Sequence, residues 1–311
     1  MTGWSLAGKF APLLESFVMK AVFTFTAAAA LGLALVLASG CASPTAASGK
    51  QLLIDGQPLS SLLPATQRRE IKNSIPERYQ GDVLIAQAMG HLLDTHQQVA
   101  VDATNAYLAK VGKHHPHLDG WLVVRGSGRE KVLFITRHDS TPSVAAIATK
   151  VRRNSARIKV LKTPRKLDTE ESALWHARTL AFQATMKPCS KHYHPVVLPV
   201  TAAGVKEIFV YLLPLAPADK IVLGGYYRVR INARGTRILN THAYTHACLE
   251  VERRPKAIGA GVTELESPAP TAPQVYANLR YNLPVYVSTA QNHLRWKIEQ
   301  GRIRLLNGSS R

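Results

Sequence analysis

Between Pro76 and Val111 the apolar residues recur at helical spacing, and beyond Gly120 they recur at every second position. A chain that changes period in this way has to bury a helical stripe and several sheet faces together, which confines it to mixed architectures. Leu84, Ile85, Met89, Leu92, Leu93, Val99, Ala103, Ala106, Tyr107 and Val111 keep close to a 3.6-residue period. They predict one long helix over 83–111, with Gly90 as a candidate break. The stripe reads as a core face rather than a cofactor or partner site. Ahead of it, Thr66–Lys72 predicts a short polar helix after Pro64, and Pro76 starts the next.

Trp121–Arg125 and Lys131–Arg137 predict strands about a turn at 126–130, Pro142–Arg153 a helix, and Ile158–Leu161 another strand. Lys162-Thr-Pro-Arg-Lys166 is the best candidate boundary. Asp168 with Glu171 resembles a capping box opening a helix to about Met186, with Leu174, Ala177, Leu180, Ala181 and Ala184 on its buried side. Past Cys189, the stretches Pro195–Val200, Ile208–Leu213, Tyr226–Leu239, Thr241–Val251 and Leu283–Val287 read as strands. A short helix is expected over 275–282 and a last hairpin over 294–306, turning at Gln300–Gly301. The expected fold class is α+β: a helical N-terminal part, then a mainly antiparallel β-sheet region with one or two helices packed on one side. Residues 61–165 make the helix-rich part and residues 166–311 the β-rich part with one long helix.

Met19 to Cys41 reads MKAVFTFTAAAALGLALVLASGC. Lys20 supplies a positive start, Ala21–Leu37 an apolar run, and Ala38-Ser39-Gly40 the small residues of a cleavage site. From the residues alone this is a secretory leader or, since the run approaches the ~20 residues that span a bilayer, an uncleaved anchor. With Cys41 directly after the small residues, the segment resembles the lipobox of bacterial lipoproteins, with Ala38 where leucine is usual. That resemblance implies cleavage before Cys41, thioether-linked diacylglycerol on Cys41, and a protein held at the periplasmic face of the cell envelope. Ala42 after the cysteine, where aspartate would signal retention, favours the outer membrane over the inner by the same analogy. Residues 1–18 do not look like the start of a leader, so the expected start is Met19, with residues 1–40 lost as signal peptide. Residues 41–60 then read as a flexible tether, since Cys41–Lys50 is rich in Ser, Ala and Gly.

In that oxidising compartment the two remaining cysteines, Cys189 and Cys248, are expected to form a disulfide. The closed loop is worth about 4 kcal/mol in the chain-entropy model. His192 and His194 follow Cys189, and His242 and His246 precede Cys248. On strands each pair projects to one face, so the bridge offers a way to gather four imidazoles, a set suited to Zn²⁺ or Cu²⁺. No Asp or Glu within either pair completes a recognised metal motif, and half-buried strand histidines beside a structural bridge are the plainer reading. His114, His115 and His117 cluster in one loop, which a polar turn explains equally well.

The chain carries 39 Lys and Arg against 20 Asp and Glu, a formal charge of +19 that becomes +18 when Lys9, Lys20 and Glu15 leave with the leader. Such a balance points to anionic partners: lipopolysaccharide, phospholipid head groups, cell-wall polymers or nucleic acid. Alternation gives part of that charge a geometry. In the last hairpin Leu294, Trp296, Ile298, Ile303 and Leu305 face one way, and Arg295, Lys297, Arg302 and Arg304 the other. Arg228 and Arg230 oppose Tyr227, Val229 and Ile231 in the same manner. These six cations are candidate anion-binding residues; a solvated sheet face whose charges deter edge pairing is the plainer alternative. The nearby aromatic residues fall on the apolar side, which counts against nucleic acid, whose binding uses exposed stacking rings.

Catalytic patterns are absent. There is no Gly-x-Ser-x-Gly elbow, no His-Glu-x-x-His and no Gly-x-x-x-x-Gly-Lys-Ser/Thr phosphate loop. Asp168, Glu170 and Glu171 sit at a helix start, where capping and the helix dipole account for them. His138 and Asp139 are adjacent, and neighbours on an extended chain point apart. No second apolar run is long enough to cross a membrane. The expectation is a membrane-anchored envelope lipoprotein whose basic domain binds a partner protein or an anionic envelope component, with no catalytic activity identified and no cofactor implied. The alternative is a metal-binding or metal-dependent envelope enzyme using His192, His194, His242 and His246.

Overall fold

Pro64 and Pro76, both in extended backbone, each precede a helix, at positions where a backbone N–H would have no helical partner. The helices they start are α1 (Ala65–Ser74) and α2 (Glu77–Val111). The computed structural model describes residues 52–306 apart from 113–116, 127–128, 153–154, 185, 218 and 255–256; the leader, Cys41, the first part of the tether, His114 and His115 lie outside the described residues. At 1.5 Å per residue α2 is about 52 Å long. Its first half delivers Val83, Met89, Leu92 and Leu93 to one core, and its later turns deliver Ala103 and Tyr107 to another. Gln87, His96, Gln97 and Asp102 are buried between and beside these stretches, so the helix lacks a single clean stripe. Gly90 is a contact point and not a break: a Cβ there would lie 2.5 Å from the Cβ of Val275.

A six-stranded antiparallel sheet follows the order β11 (Ile238–Ala243), β10 (Tyr227–Asn232), β8 (Val205–Pro214), β7 (Tyr193–Ala202), β1 (Leu53–Ile54), β2 (Gln57–Pro58). A second sheet runs β3 (Gly120–Gly126), β4 (Arg129–His138), β5 (Thr141–Arg152), β6 (Ser155–Lys166). A third runs β13 (Ala260–Glu264), β14 (Val285–Thr289), β15 (Leu294–Glu299), β16 (Arg302–Leu306). Its first pair is parallel, with α4 (Ala272–Tyr281) in the connection. β9 (Lys220–Val222) and β12 (Glu250–Glu252) form a short separate pair. The remaining helix, α3 (Thr169–Ala181), opens with the expected reciprocal cap between Asp168 and Glu171. Among the described residues no helix is long and apolar enough to cross a membrane.

The fold is α+β and mostly antiparallel, but helices do not keep to one side of the sheet. On β7, Val196, Leu198 and Val200 join the core with α2 and α4, while Val197 joins a core with α3 and the second sheet. β8 divides likewise, Phe209, Tyr211 and Leu213 against Ile208, Val210 and Leu212. A strand apolar on both faces requires cover on both. The third sheet turns Val285, Val287, Trp296, Ile298 and Ile303 into the first of these cores.

Three expectations are corrected. Thr141–Arg152 is a strand and not a helix: Val144 is buried in the core with α3, Ala145, Ala146 and Ala148 in the core with Tyr107, and a register shift between Val144 and Ala146 breaks the alternation. Lys162–Lys166 is not a boundary: it continues β6, with Pro164 on an edge strand where a missing donor is tolerated. The tether ends before residue 60: β1 pairs with β7, and Ile54 and Leu59 are buried.

Candidate functional site

Cys189, just before β7, is joined to Cys248, beyond β11, across 59 residues with Cα atoms 5.1 Å apart. The bridge passes against Gly225, whose φ is +78°; a Cβ there would collide with Cys189 and lie 2.8 Å from its Sγ. Only glycine leaves room for the bridge and accepts that backbone angle.

The bridge does not gather the histidines. In the strand order β7 and β11 are three spacings apart, about 14 Å at ~4.8 Å each. His194 is buried, its ring 5.5 Å from that of Trp121. Burial, then the nearby charges of Arg178, Arg280 and His96, bring its pKa down to about 3. His192 is held by its backbone, its N–H donating to Ser190 Oγ at 3.2 Å. On the other flank His246 Nε2 lies 2.7 Å from Glu266 Oε1, and His242 Nδ1 lies 4.0 Å from Oε2 of the same carboxylate. Among the described residues no three His, Cys, Asp or Glu side chains are placed to hold a metal ion. The four imidazoles expected to hold Zn²⁺ or Cu²⁺ are therefore not brought together: His194 is buried with its ring tilted against Trp121, and His242 and His246 form a separate pair at Glu266. Loops, not adjacent strands, span the distance the bridge closes.

The six cations singled out by alternation meet different fates. The register Lys297↔Arg304 and Glu299↔Arg302 puts Arg295, Lys297, Arg302 and Arg304 on the outer face of the third sheet, as expected. Glu70 of α1 reaches across, 3.3 Å from Arg302 Nη1 and 3.5 Å from Arg304 Nε, and Lys297 Nζ lies 3.0 Å from Glu299. Only Arg295 of the four makes no ion pair among the described residues. Arg228 and Arg230 offer no open basic face. They stand opposite Tyr211 and Phe209 on β8, on the side of the sheet that meets the core with α2. Arg230 grips Glu207 with two bonds of 2.9 and 2.8 Å, and the Arg228 guanidinium sits 5.3 Å from the Phe209 ring.

A stronger basic surface lies where the sequence signal was divided. Among the described residues β6 pairs with β5 on one side and with no strand on the other. Ile158 points inward to the core with Tyr107, and Lys110 Nζ donates to its carbonyl at 2.7 Å. Arg157 and Lys159 therefore point to the opposite face from Ile158; Lys162 and Lys166 farther along and Lys150 and Arg152 on β5 are also exposed, on the same strand pair but not all on one face. None of these six makes an ion pair among the described residues. Reading Ile158–Leu161 as a short strand and Lys162–Lys166 as a boundary split this row in two. The alternation Arg157-Ile158-Lys159 was the available signal.

With this geometry described, no protein-family model, no curated protein and no solved structure matches the chain.

Proposed function

We propose that this chain is a lipid-anchored envelope protein that binds an anionic envelope component through the β6 edge. The anchor half of the reading rests on the Met19–Cys41 segment, with Cys41 as the lipidated residue. A Cys189–Cys248 bridge is in keeping with an oxidising compartment. The observation that carries the binding half is the row of six exposed cations on β5 and β6 with no carboxylate partner. Cations already matched, such as Arg302 and Arg304 on Glu70, have less to gain from an anion than these. Edge lysines also deter strand-to-strand aggregation, and that role needs no ligand.

Binding of the unlipidated full chain (C41S) to immobilised lipopolysaccharide, with neutral dextran as control, separates the two roles. Each cation near an anionic surface contributes about 1 kcal/mol, so K159Q/K162Q weakens binding about thirtyfold. Binding also falls as salt rises from about 50 to about 500 mM. Equal binding by wild type and K159Q/K162Q, or equal binding to dextran, refutes the edge as the site. Peptide mass spectrometry on membrane-extracted protein tests the anchor: diacylglycerol on an N-terminal Cys41 is expected, and an unmodified internal Cys41 overturns it.

A further inference from the structure

At the start of α3 lies a recess of about 160 Å³ whose charge is opposite to that of the β6 edge. Asp55, Asp168, Glu170 and Glu171 line it, with Arg125 as the one cationic lining residue. Asp55 occupies the turn between β1 and β2, where it and Gly56 both have positive φ (49° and 75°), the geometry of a two-residue hairpin turn. Its N–H donates to the Pro199 carbonyl at 3.1 Å, so the carboxylate is held in a fixed place and is only 16% exposed. Arg125 approaches it no closer than 3.9 Å and spends a nearer contact, 3.2 Å, on Glu130. No described residue donates a hydrogen bond to the Asp55 carboxylate.

The other acids divide into occupied and free. Arg165 holds both oxygens of Glu171 at 2.7 Å, Lys131 adds its field there, and Asp168 caps the Glu171 N–H at 2.8 Å. Glu170 is exposed and makes no ion pair among the described residues. From the middle of α2 comes His96, only 3% exposed, with Nε2 buried and lacking any hydrogen-bond partner. Burial brings its pKa down to about 4, so the ring is neutral at pH 7 and can accept. Val123, Leu174, Val197 and Pro199 supply apolar wall. Buried acceptors left without donors are costly, and a donor-only group of positive charge resolves that cost.

We propose that this recess binds the ammonium head of a small alkylamine, Asp55 and His96 accepting its N–H groups, Glu170 facing it from the rim, and Val123, Leu174 and Val197 packing its alkyl stem. An apolar cavity of about 150 Å³ takes a benzene-sized molecule, so a stem of about four or five carbons fits. The head group belongs either to a free diamine or to a lysine side chain, and the chemistry is shared.

Calorimetric titration of the full chain in detergent tests this with n-butylammonium, 1,5-diaminopentane, Nα-acetyl-lysine methylamide and the neutral isostere n-butanol. At least one amine is expected to saturate with Kd near 1 mM, and n-butanol about tenfold more weakly or not at all. D55N weakens amine binding about tenfold, and the rim variant E170Q, which perturbs no packed side chain, weakens it by a smaller factor. E250Q, on the distant strand β12, leaves binding unchanged. Tighter binding of the diamine assigns the site to free polyamines, and tighter binding of the lysine analogue assigns it to a protein side chain. Equal binding of n-butanol and n-butylammonium, no saturation by any amine, or amine binding untouched by both D55N and E170Q overturns the proposal. Near-ultraviolet circular dichroism of each variant separates lost binding from lost fold.

Discussion

Gly90→Ala sets two physical rules against each other. In an exposed helix the substitution stabilises by about 1 kcal/mol, because alanine loses less backbone freedom on folding. At Gly90 the new Cβ would stand 2.5 Å from Val275 Cβ, 2.6 Å from Val275 Cγ1 and 3.0 Å from the Ala272 carbonyl. Carbon atoms in good contact sit about 3.5–4.0 Å apart, so α2 and α4 must separate by about 1 Å or more. α4 has little room to yield. Val275 is fully buried, the Tyr276 hydroxyl donates to Gln97 of α2, and Asn278 Oδ1 accepts from the Gly301 N–H at 2.7 Å. Overpacking of this kind costs typically about 1–3 kcal/mol. Because α4 has little room to yield, the cost falls in the upper part of that range, about 2–3 kcal/mol, and set against the propensity gain the net is a destabilisation of about 1–2 kcal/mol. Urea titration followed by tryptophan fluorescence reads it as a lower midpoint at unchanged slope. In a unit of this size each kcal/mol is about 2–4 °C in Tm. A G90A protein as stable as wild type or more so, with the same slope, refutes the close helix contact.

Removing the bridge with C189S/C248S should cost about 4 kcal/mol, since the closed loop spans 59 residues; a reductant should lower the wild-type midpoint equally, and a loss below about 1 kcal/mol refutes the entropic account. G225A should leave Cys189 and Cys248 titratable with maleimide after folding, because its Cβ occupies the space the bridge needs; a fully bridged G225A contradicts that. The Arg165 side chain holds Glu171 below the usual carboxylate range, so this pair stabilises the fold above about pH 4.5 and the gain is lost as pH falls through the lowered native value. E171Q should therefore cost about 1 kcal/mol at pH 7 and remove that part of the acid limb, a prediction that fails if wild type and variant lose stability in parallel. His194, with a native pKa of about 3, takes a proton only in the unfolded chain between about pH 6.5 and 3. Stability from this group is then full above pH 6.5 and declines as pH falls, by at most about 1.4 kcal/mol per unit. H194F should flatten that slope while keeping the ring contact with Trp121, and an imidazole resonance titrating near pH 6.5 in the native protein sinks the argument.

Local spacing in the chain is sufficient for whatever depends on a few consecutive residues. The Asp168–Glu171 cap, the long helix through Val111, the hairpin turning at Gln300–Gly301 and the split of Arg295, Lys297, Arg302 and Arg304 from Trp296, Ile298 and Ile303 are all legible there. Each is a periodicity or a cap, and periodicity states which side chains share a face. It does not state what covers that face. Thr141–Arg152 escaped because burial on both sides replaced alternation with a run of Val, Ala and Ile that serves a helix or a strand equally. Arg228 and Arg230 alternate as cleanly as the C-terminal cations, yet on their side of the sheet Arg228 lies over the Phe209 ring and Arg230 is paired with Glu207. His192 and His194, like His242 and His246, fall at even spacing, yet β8 and β10 lie between the strands that carry His194 and His242. The recess that joins Asp55, His96, Arg125 and Glu170 draws on four segments far apart in sequence, and no local pattern relates them. Strand order and helix docking are settled by non-local burial, summed over the whole chain, and those alone decide which patterned faces meet each other and which meet water.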